Sequence, residues 1–250
     1  MAPRWRACHI VRASVRDLVH AVRLMVDLRL YALVDPERAN GRTLPDVAKH
    51  VAAGGATLVQ LRDKLGDTRR LVDEARAIKA ALPGNVPLVI NDRVDVALAA
   101  DADGVHVGHE DMAVADARRL LGKKALIGLS LKTMRHVEEA PLELLDYVAI
   151  GGVFATSSKN NPDPPVGTDG LQRMAARVRA REPAMPIVAI AGIDATNAAD
   201  AIAAGADGVA VISALSMAAD PTSAARGLRA IVDGALARRN SLSPAGRGSG

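Results

Sequence analysis

The sequence predicts a closed (β/α)8 barrel of the α/β class, a TIM barrel, and three observations favour it. The chain has 250 residues, a usual length for one barrel of this kind. Short apolar strand patterns alternate eight times with helical patterns rich in Ala, Leu and Arg. A similar sequence motif also recurs at residues 53–59, 100–105 and 204–209, where the end of a helix and a turn with Gly or Asp lead into a strand. A doubly wound open sheet is the alternative with the same alternation.

Eight segments are predicted as strands because they are short runs of Val, Ile and Leu, as expected for strands buried on both faces. The segments between them have helical spacing, for example 68–82 and 168–181, and a short helix is predicted at 214–217. In this fold, function lies in the loops that follow the strands. The predicted strands are residues 29–34, 57–61, 87–91, 103–107, 125–129, 146–150, 186–190 and 207–212.

The predicted organisation is one barrel domain with two flanking segments. Residues 1–28 form a basic N-terminal extension, residues 29–237 form the catalytic barrel, and residues 238–250 form a tail predicted to be disordered. No apolar run approaches the roughly 20 residues that cross a bilayer. Cys8 is the only cysteine, which excludes an internal disulfide and favours a reducing cytoplasm.

The composition argues against nucleic acid as a partner. Aromatic residues make up 2% of the chain, too few for a platform on which bases stack. The net charge is only +4, and much of the basic excess lies in the two terminal segments. We therefore expect small-molecule substrates, with neither a nucleic acid nor a membrane as partner.

Cationic side chains end the second predicted strand. With a side-chain period of two, Gln60, Arg62 and Lys64 share one face with Leu58. If Leu58 points into the barrel, these side chains rise towards its mouth. Two cations there suit a phosphate or pyrophosphate, which Arg binds bidentately and Lys attracts as a point charge. An ion-pair network with nearby acids is the alternative.

Acidic and amide side chains follow the third and fourth predicted strands, at Asn91, Asp92 and Asp111. Neighbouring parallel strands aim these groups at one rim, opposite Arg62 and Lys64. Mg²⁺ is usually held by one or two carboxylates together with substrate phosphates. We therefore predict Asp92 and Asp111 as Mg²⁺ ligands, and salt bridges to the same cations are the alternative.

Three further rim positions carry groups that suit substrate binding. Ser130 ends the fifth predicted strand, where an N-cap for the next helix is the alternative role. The long loop 151–167 has hydroxyls beside Lys159, which suits an oxyanion site or a closing lid, and a mobile surface loop is the alternative. Gly192 and Ser213 follow the seventh and eighth predicted strands, where this fold commonly binds a phosphate through backbone amides.

Taken together, these segments resemble thiamine phosphate synthases over residues 29–236. No single piece is decisive, but the ordered set is specific. The resemblance implies a transferase of thiamine biosynthesis. It joins 4-amino-2-methyl-5-hydroxymethylpyrimidine diphosphate to a thiazole phosphate and releases thiamine phosphate and pyrophosphate. The matching pieces are Gln60-Leu61-Arg62-Asp63-Lys64, Ile90-Asn91-Asp92-Arg93, Gly104-Val105-His106-Val107-Gly108 with Glu110-Asp111, Gly128-Leu129-Ser130, Thr156 to Lys159 with Pro165-Val166-Gly167, and Gly192-Ile193 with Ile212-Ser213.

The resemblance also implies roles for individual residues. Asp92 and Asp111 would hold Mg²⁺ against the pyrophosphate. The residues assigned to catalysis are Arg62, Lys64, Ser130 and Lys159, of which the three cations bind and neutralise the departing pyrophosphate. The pyrimidine is contacted by Gln60, Asn91 and Ser130. The thiazole phosphate is contacted by Thr156 and Ser158, with Ser157 between them also assigned to substrate binding, and by amides near Gly192, Ile212 and Ser213.

Three positions depart from the family pattern, and three rival functions stay open. His109 stands in place of the usual Gln, Ser158 in place of Thr, and Ala191 in place of Gly. A thiazole tautomerase shares the barrel but needs no full pyrophosphate site. A non-catalytic sensor of a phosphorylated metabolite is the second rival, and a sugar-phosphate epimerase is the third. The resemblance leaves open whether the chain forms a homo-oligomer.

Overall fold

Eight parallel strands close into a barrel in a computed structural model, which describes residues 26–156 and 164–242. Each strand pairs in parallel with the next one along the chain, and the eighth pairs with the first. The eight predicted strands and the closed barrel are confirmed, and the open sheet is excluded. The strands are β1 (Leu30–Val34), β2 (Leu58–Leu61), β3 (Leu88–Asn91), β4 (Gly104–Val107), β5 (Leu126–Leu131), β6 (Tyr147–Ile150), β7 (Ile187–Ile190) and β8 (Gly208–Val211).

Helices follow the strands and surround the barrel. They are α1 (Leu44–Ala53), α2 (Thr68–Ala81), α3 (Val94–Ala99), α4 (Val114–Leu121), α5 (Met134–Glu139), α6 (Gly167–Arg181), α7 (Ala198–Ala203), α8 (Ser213–Ser216) and α9 (Pro221–Leu242). The short helix predicted at 214–217 is α8. Because α9 continues to Leu242, the boundary predicted at residue 237 falls inside a helix. The rest of the predicted tail and residues 1–25 lie outside the described residues. None of the helices in the described part of the chain is long and apolar enough to cross a membrane.

The barrel has an inner and an outer apolar layer because successive strand residues point to opposite faces. Leu58 and Tyr147 belong to the cluster that fills the interior. Val59 and Val148 belong to the larger cluster that packs against the helices. Leu58 therefore points into the barrel, as the sequence argument required, and the period of two places Gln60 on the same side.

A repeated hydrogen bond ties the strands in pairs at the amino-terminal end of the barrel. In each pair, the side chain of the residue before the second strand accepts the backbone N–H of the first or second residue of the preceding strand. Three of these acceptors, Thr57, Asp103 and Asp207, belong to the sequence motif that recurs before strands. The motif therefore encodes a hydrogen-bonded joint between neighbouring strands. The bonds are Leu30 N to Thr57 Oγ1 (3.1 Å), Leu88 N to Asp103 Oδ2 (2.8 Å), Ile127 N to Asp146 Oδ2 (2.8 Å) and Ile187 N to Asp207 Oδ2 (3.0 Å).

Cations on the helices compensate the aspartates of these joints. Because the joints lie at the end of the barrel opposite to the strand carboxyl termini, they support the fold and leave the other end free for function. The nitrogen–oxygen distances are 3.9 Å for Lys79–Asp103, 2.6 Å for Arg118–Asp146, and 2.9 Å for both Arg179–Asp207 and Arg239–Asp207.

Candidate active site

A cavity of about 460 Å³ opens at the carboxyl-terminal ends of the strands. Lys64, Asp92 and Asp111 lie together at the rim beside this cavity and not in its lining. Three predicted residues, Ser157, Ser158 and Lys159, fall outside the described residues. The predicted site residues that line the cavity are Gln60, Arg62, Asn91, Ser130, Thr156, Gly192, Ile212 and Ser213.

β2 carries an amide and a guanidinium into the cavity. Gln60 is buried, and Arg62 follows it on the same face. The guanidinium of Arg62 is ion-paired with the carboxylate of Asp35, which comes directly after β1. The two side chains are only 11% and 3% exposed, so the pair is shielded from water. Asp35 also accepts the Glu37 backbone N–H (2.9 Å). Asp35 therefore holds the Arg62 guanidinium in place.

Lys64 and Asp92 form the first part of the rim cluster. The Lys64 ammonium is ion-paired with Asp92 Oδ2, which also accepts a hydrogen bond from Asn91 Nδ2 (2.7 Å). Asp92 has a φ of +62°, a region that Asp adopts more readily than most residues. Its N–H donates to the His106 carbonyl of β4 (2.8 Å). This turn places the Asp92 carboxylate beside Lys64.

Asp111 completes the rim cluster. Its Oδ2 accepts the Gly108 N–H (2.8 Å), which anchors the carboxylate in the loop after β4. Partial burial raises the pKa of the Asp111 carboxyl, and the neighbouring Asp92 raises it further, against the opposing effects of Gly108 and Lys64. Two neighbouring carboxylates repel each other, so the cluster suits an additional cation.

A buried chain of hydrogen bonds crosses the barrel interior. Gln60 Nε2 donates to Tyr31 Oη, which lies 2.9 Å from Tyr147 Oη. His106 Nδ1 lies 3.1 Å from Tyr147 Oη, and His106 Nε2 lies 2.9 Å from Ser130 Oγ. Burial raises the pKa of both tyrosine hydroxyls, so both stay protonated. The chain therefore links two predicted substrate contacts, Gln60 and Ser130, through side chains of the core.

The side of the cavity after β7 and β8 is formed largely by small residues. Ala191 and Gly192 have φ values of +94° and +64°. A Cβ on Gly192 would lie 2.2 Å from the Ala155 carbonyl oxygen, so the close approach of the loop after β6 requires glycine. Ser213 lines the cavity at the start of α8. Small side chains leave the backbone here accessible, as a phosphate site needs.

His109, one of the departures from the family pattern, packs against a neighbouring loop element. Its ring stacks on that of His136 in α5, with 3.6 Å between the ring centroids. Burial lowers the pKa of both histidines. The stack holds the loop that carries Asp111 against α5, which explains how a residue other than Gln is accommodated there.

Sequence reasoning missed Asp194, which lines the cavity in the loop after β7. It also missed two charged residues that come directly after strands, Asp35 and Lys132. Asp35 comes directly after β1, and Lys132 comes directly after β5 and lines the cavity. Both occupy the position that identified Asp92, so the rule of polar residues at strand ends would have found them. Tyr31 and Tyr147 carry no such signal because they lie within apolar strands.

The fold and the site define a barrel enzyme suited to small phosphorylated substrates, with cations and carboxylates at the strand ends beside a polar cavity. A sequence profile described as thiamine monophosphate synthase matches residues 30–215. The chain belongs to this family, and the resemblance inferred from the sequence is confirmed.

Similar proteins agree with this assignment. The thiamine-phosphate synthase of Agrobacterium fabrum is 53% identical over 215 residues, covering 86% of this chain and 98% of that protein. The thiamine-phosphate synthase of Chloroflexus aurantiacus is 47% identical over 83% of this chain and 94% of its own length. A solved structure, thiamine phosphate pyrophosphorylase from Pyrococcus furiosus, superposes with a TM-score of 0.73 at 32% identity, covering 85% of this chain and 98% of that one.

Proposed function

We propose that this chain condenses 4-amino-2-methyl-5-hydroxymethylpyrimidine diphosphate with a thiazole phosphate, giving thiamine phosphate and pyrophosphate. One observation carries the proposal: Lys64, Asp92 and Asp111 meet at the rim of a cavity that Arg62 enters. The similarity to thiamine-phosphate synthases supports the same reaction. The tautomerase is less favoured because proton transfer does not need this charge set, and a complete reacting site is not required of a sensor that only binds its ligand. The epimerase is less favoured because the similar proteins are thiamine-phosphate synthases.

The cavity offers separate surfaces to the two substrates. Gln60, Asn91 and Ser130 supply amide and hydroxyl groups that match the ring nitrogens and exocyclic amine of an aminopyrimidine. On the other side, Gly192 and Ser213 lie where accessible backbone suits the phosphate of the thiazole. Bound in this way, the thiazole nitrogen would face the methylene carbon of the pyrimidine.

The reaction breaks one bond and forms one bond. The methylene carbon–oxygen bond breaks, its electron pair leaves with pyrophosphate, and the electron-rich pyrimidine stabilises the resulting cation. The lone pair of the thiazole nitrogen then forms the new carbon–nitrogen bond. The reacting atoms neither gain nor lose a proton, so the site needs no general base.

The protein therefore contributes alignment, charge stabilisation and exclusion of water. Arg62 and Lys64 would stabilise the charge that develops on the departing pyrophosphate, and the resemblance adds Lys159. One preorganised donor of this kind is typically worth about 3–4 kcal/mol of barrier. The cavity would protect the cation from hydrolysis while the thiazole attacks.

The rim cluster fits Mg²⁺. Asp92 and Asp111 lie close together, and Asp92 adds to the effect of burial in raising the pKa of the Asp111 carboxyl. Within residues 26–156 and 164–242, no group of three or more His, Cys, Asp or Glu side chains is arranged around a metal position. Mg²⁺ characteristically uses one or two carboxylates and completes its shell with water and substrate phosphates. When bound, Mg²⁺ would neutralise pyrophosphate charge, with Asp92 and Asp111 as its protein ligands.

The direct test supplies purified protein with both substrates, with and without Mg²⁺, and measures pyrophosphate and thiamine phosphate together. We expect both products in equal amounts, and only when both substrates and Mg²⁺ are present. Pyrophosphate release without the thiazole substrate would indicate hydrolysis instead. No product, with thiazole phosphate still bound, would favour the tautomerase or the sensor.

Two variants test the leaving-group roles. Arg62→Ala and Lys159→Ala should each lower kcat by about 10²–10³ while the protein stays folded. Arg173→Ala is the matched control, because Arg173 is exposed on α6. Near-normal turnover of both site variants would refute the assignment of these cations to the departing pyrophosphate.

A further inference from the structure

The chain contains two tyrosines, and both are buried inside the barrel without lining the cavity. Tyr31 is 1% exposed and Tyr147 is fully buried. Their rings pack edge to face, with centroids 5.8 Å apart. Their hydroxyls connect Gln60 on β2 to His106 on β4, and His106 continues to Ser130 on β5. Gln60, His106 and Ser130 line the cavity, and the two tyrosines that connect them lie in the core.

The side chains of this hydrogen-bonded chain fit in the barrel interior because position 128 is a glycine. A Cβ on Gly128 would lie 2.2 Å from the Tyr147 ring and 2.5 Å from His106 Nδ1. Any side chain at position 128 would therefore displace the tyrosine or the histidine. The neighbouring ring of His106 stacks on that of Tyr147 with 5.5 Å between centroids. The arrangement is thus sterically determined as well as hydrogen-bonded.

Donor and acceptor roles along the chain follow from its first bond. The Gln60 amide nitrogen donates to Tyr31 and cannot accept. With that bond fixed, the Tyr31 hydroxyl proton would go to Tyr147, the other hydrogen-bond partner of this hydroxyl. On the same reasoning the Tyr147 hydroxyl, which accepts from Tyr31, would donate to His106 Nδ1. A neutral imidazole that accepts at Nδ1 carries its proton on Nε2, and this N–H donates to Ser130 Oγ.

Both ends of the chain are thereby given a defined polarity. Because Ser130 accepts from His106, its own hydroxyl proton is available to donate to a bound molecule. Because Gln60 uses its amide nitrogen on Tyr31, its carbonyl oxygen is available to accept. An aminopyrimidine presents the complementary pair, ring nitrogens that accept and an exocyclic amine that donates.

We propose that Tyr31, Tyr147 and His106 are positioning residues that keep Ser130 a hydrogen-bond donor and the Gln60 carbonyl an acceptor towards the aminopyrimidine. This inference rests on the proposed function for the identity of the ligand. The polarity itself is a property of the protein alone. If the Gln60 carbonyl accepts a hydrogen bond from the exocyclic amine, the electron density of the pyrimidine ring increases. A more electron-rich ring favours departure of pyrophosphate.

The first experiment reads the polarity without turnover. Nitrogen-15 NMR of histidine-labelled protein distinguishes the two neutral tautomers, and the His106 signal is assigned by its loss in His106→Asn. We expect the tautomer with the proton on Nε2. A proton on Nδ1, or on both nitrogens, would overturn the proposal, because the chain would then run in the opposite direction or be interrupted.

The second experiment interrupts the chain at its centre. Tyr147→Phe retains the ring but removes the hydroxyl, and the tautomer preference of His106 should be lost. We expect kcat/KM for the pyrimidine diphosphate to fall about tenfold, since a buried group is left unsatisfied. KM for the thiazole phosphate should stay unchanged. Val188→Ala is the matched control: Val188 is buried in the interior and makes no polar contact with the chain, so that variant should keep its kcat/KM despite a lower stability.

A double-mutant cycle separates positioning from general destabilisation. If Tyr147 acts through Ser130, Tyr147→Phe should change kcat/KM by less than about twofold in a Ser130→Ala background. An equal factor in both backgrounds would assign Tyr147 a purely structural role and overturn the proposal. Absence of turnover in the unmodified protein would instead refute the proposed function, while the NMR result would still decide the polarity of the chain.

Discussion

The Arg62 guanidinium is ion-paired with the Asp35 carboxylate, and the two residues come from the ends of neighbouring strands. The Arg62 backbone N–H also donates to the Val34 carbonyl (2.9 Å), so both the backbone and the guanidinium of Arg62 are held by the end of β1. The arginine that we propose to bind the pyrophosphate is thus held before the substrate arrives, and preorganised charge of this kind lowers a reaction barrier.

Asp35→Asn should lower turnover while leaving the barrel folded. The amide keeps the size of the side chain but removes the charge that holds Arg62. We expect kcat to fall about 10- to 100-fold, because small displacements of a positioned group have effects of this size. Steady-state pyrophosphate release measures it. Glu37→Gln is the control, because Glu37 is an exposed acid two residues away. If Asp35→Asn has the same kcat as this control, Asp35 does not position Arg62.

Asp111→Asn should stabilise the metal-free protein and abolish activity. Burial and Asp92 raise the pKa of the Asp111 carboxyl, so its ionisation costs more in the folded protein than in the unfolded chain. The Asn variant should therefore melt at a higher temperature at pH 7, and this gain should vanish as the pH falls below about 4, where the carboxyl is protonated in both states. Thermal melts in EDTA across this pH range test it.

Added Mg²⁺ supplies the second half of this test. It should raise the melting temperature of the unmodified protein more than that of Asp111→Asn, since a ligand stabilises only the state that binds it. Asp116→Asn serves as the control, because Asp116 is exposed on α4 and pairs with Arg119. Equal Mg²⁺ shifts in all three proteins would argue against Asp111 as a ligand.

Ala191→Gly should stabilise the protein. Ala191 has a φ of +94°, a conformation that costs an alanine about 1 kcal/mol relative to glycine. Relief of this strain should raise the free energy of unfolding by a similar amount in urea titrations. Ala189→Gly, at a buried position of β7, should lower it. A loss of stability in both variants would show that the backbone at residue 191 carries no strain.

Asp146→Asn should weaken the fold without affecting the chemistry. Asp146 accepts the Ile127 N–H and pairs with Arg118 at the end of the barrel away from the cavity. Loss of these charge-assisted bonds should lower the free energy of unfolding by about 2 kcal/mol. Urea unfolding measures this, with the exposed Asp73→Asn as control. A reduced kcat in folded Asp146→Asn protein would contradict the division of roles between the two ends of the barrel, one for stability and the other for catalysis.

The strands and the rim residues were predictable because their signals are local. A run such as Leu88–Asn91 shows its burial by composition, and the polar residues that end it show the rim. Asp35 carried the same signal, and its pairing with Arg62 depends on how β1 and β2 lie side by side. The terminal extension and the lid residues 157–163 lie outside the described structure, so their predicted roles stay predictions.

The sequence by itself determined the barrel, the family and eight of the residues that line the cavity. These signals are local, because hydrophobic periodicity and the polar residues at strand ends can be recognised from neighbouring positions in the sequence. Only the tertiary structure decided the chain from Gln60 through Tyr31, Tyr147 and His106 to Ser130. Its members are far apart in sequence and come from five strands. Closure of the barrel brings their side chains within hydrogen-bond distance, with the two tyrosines in the core and the other three in the cavity wall. Each buried polar group must find a partner there.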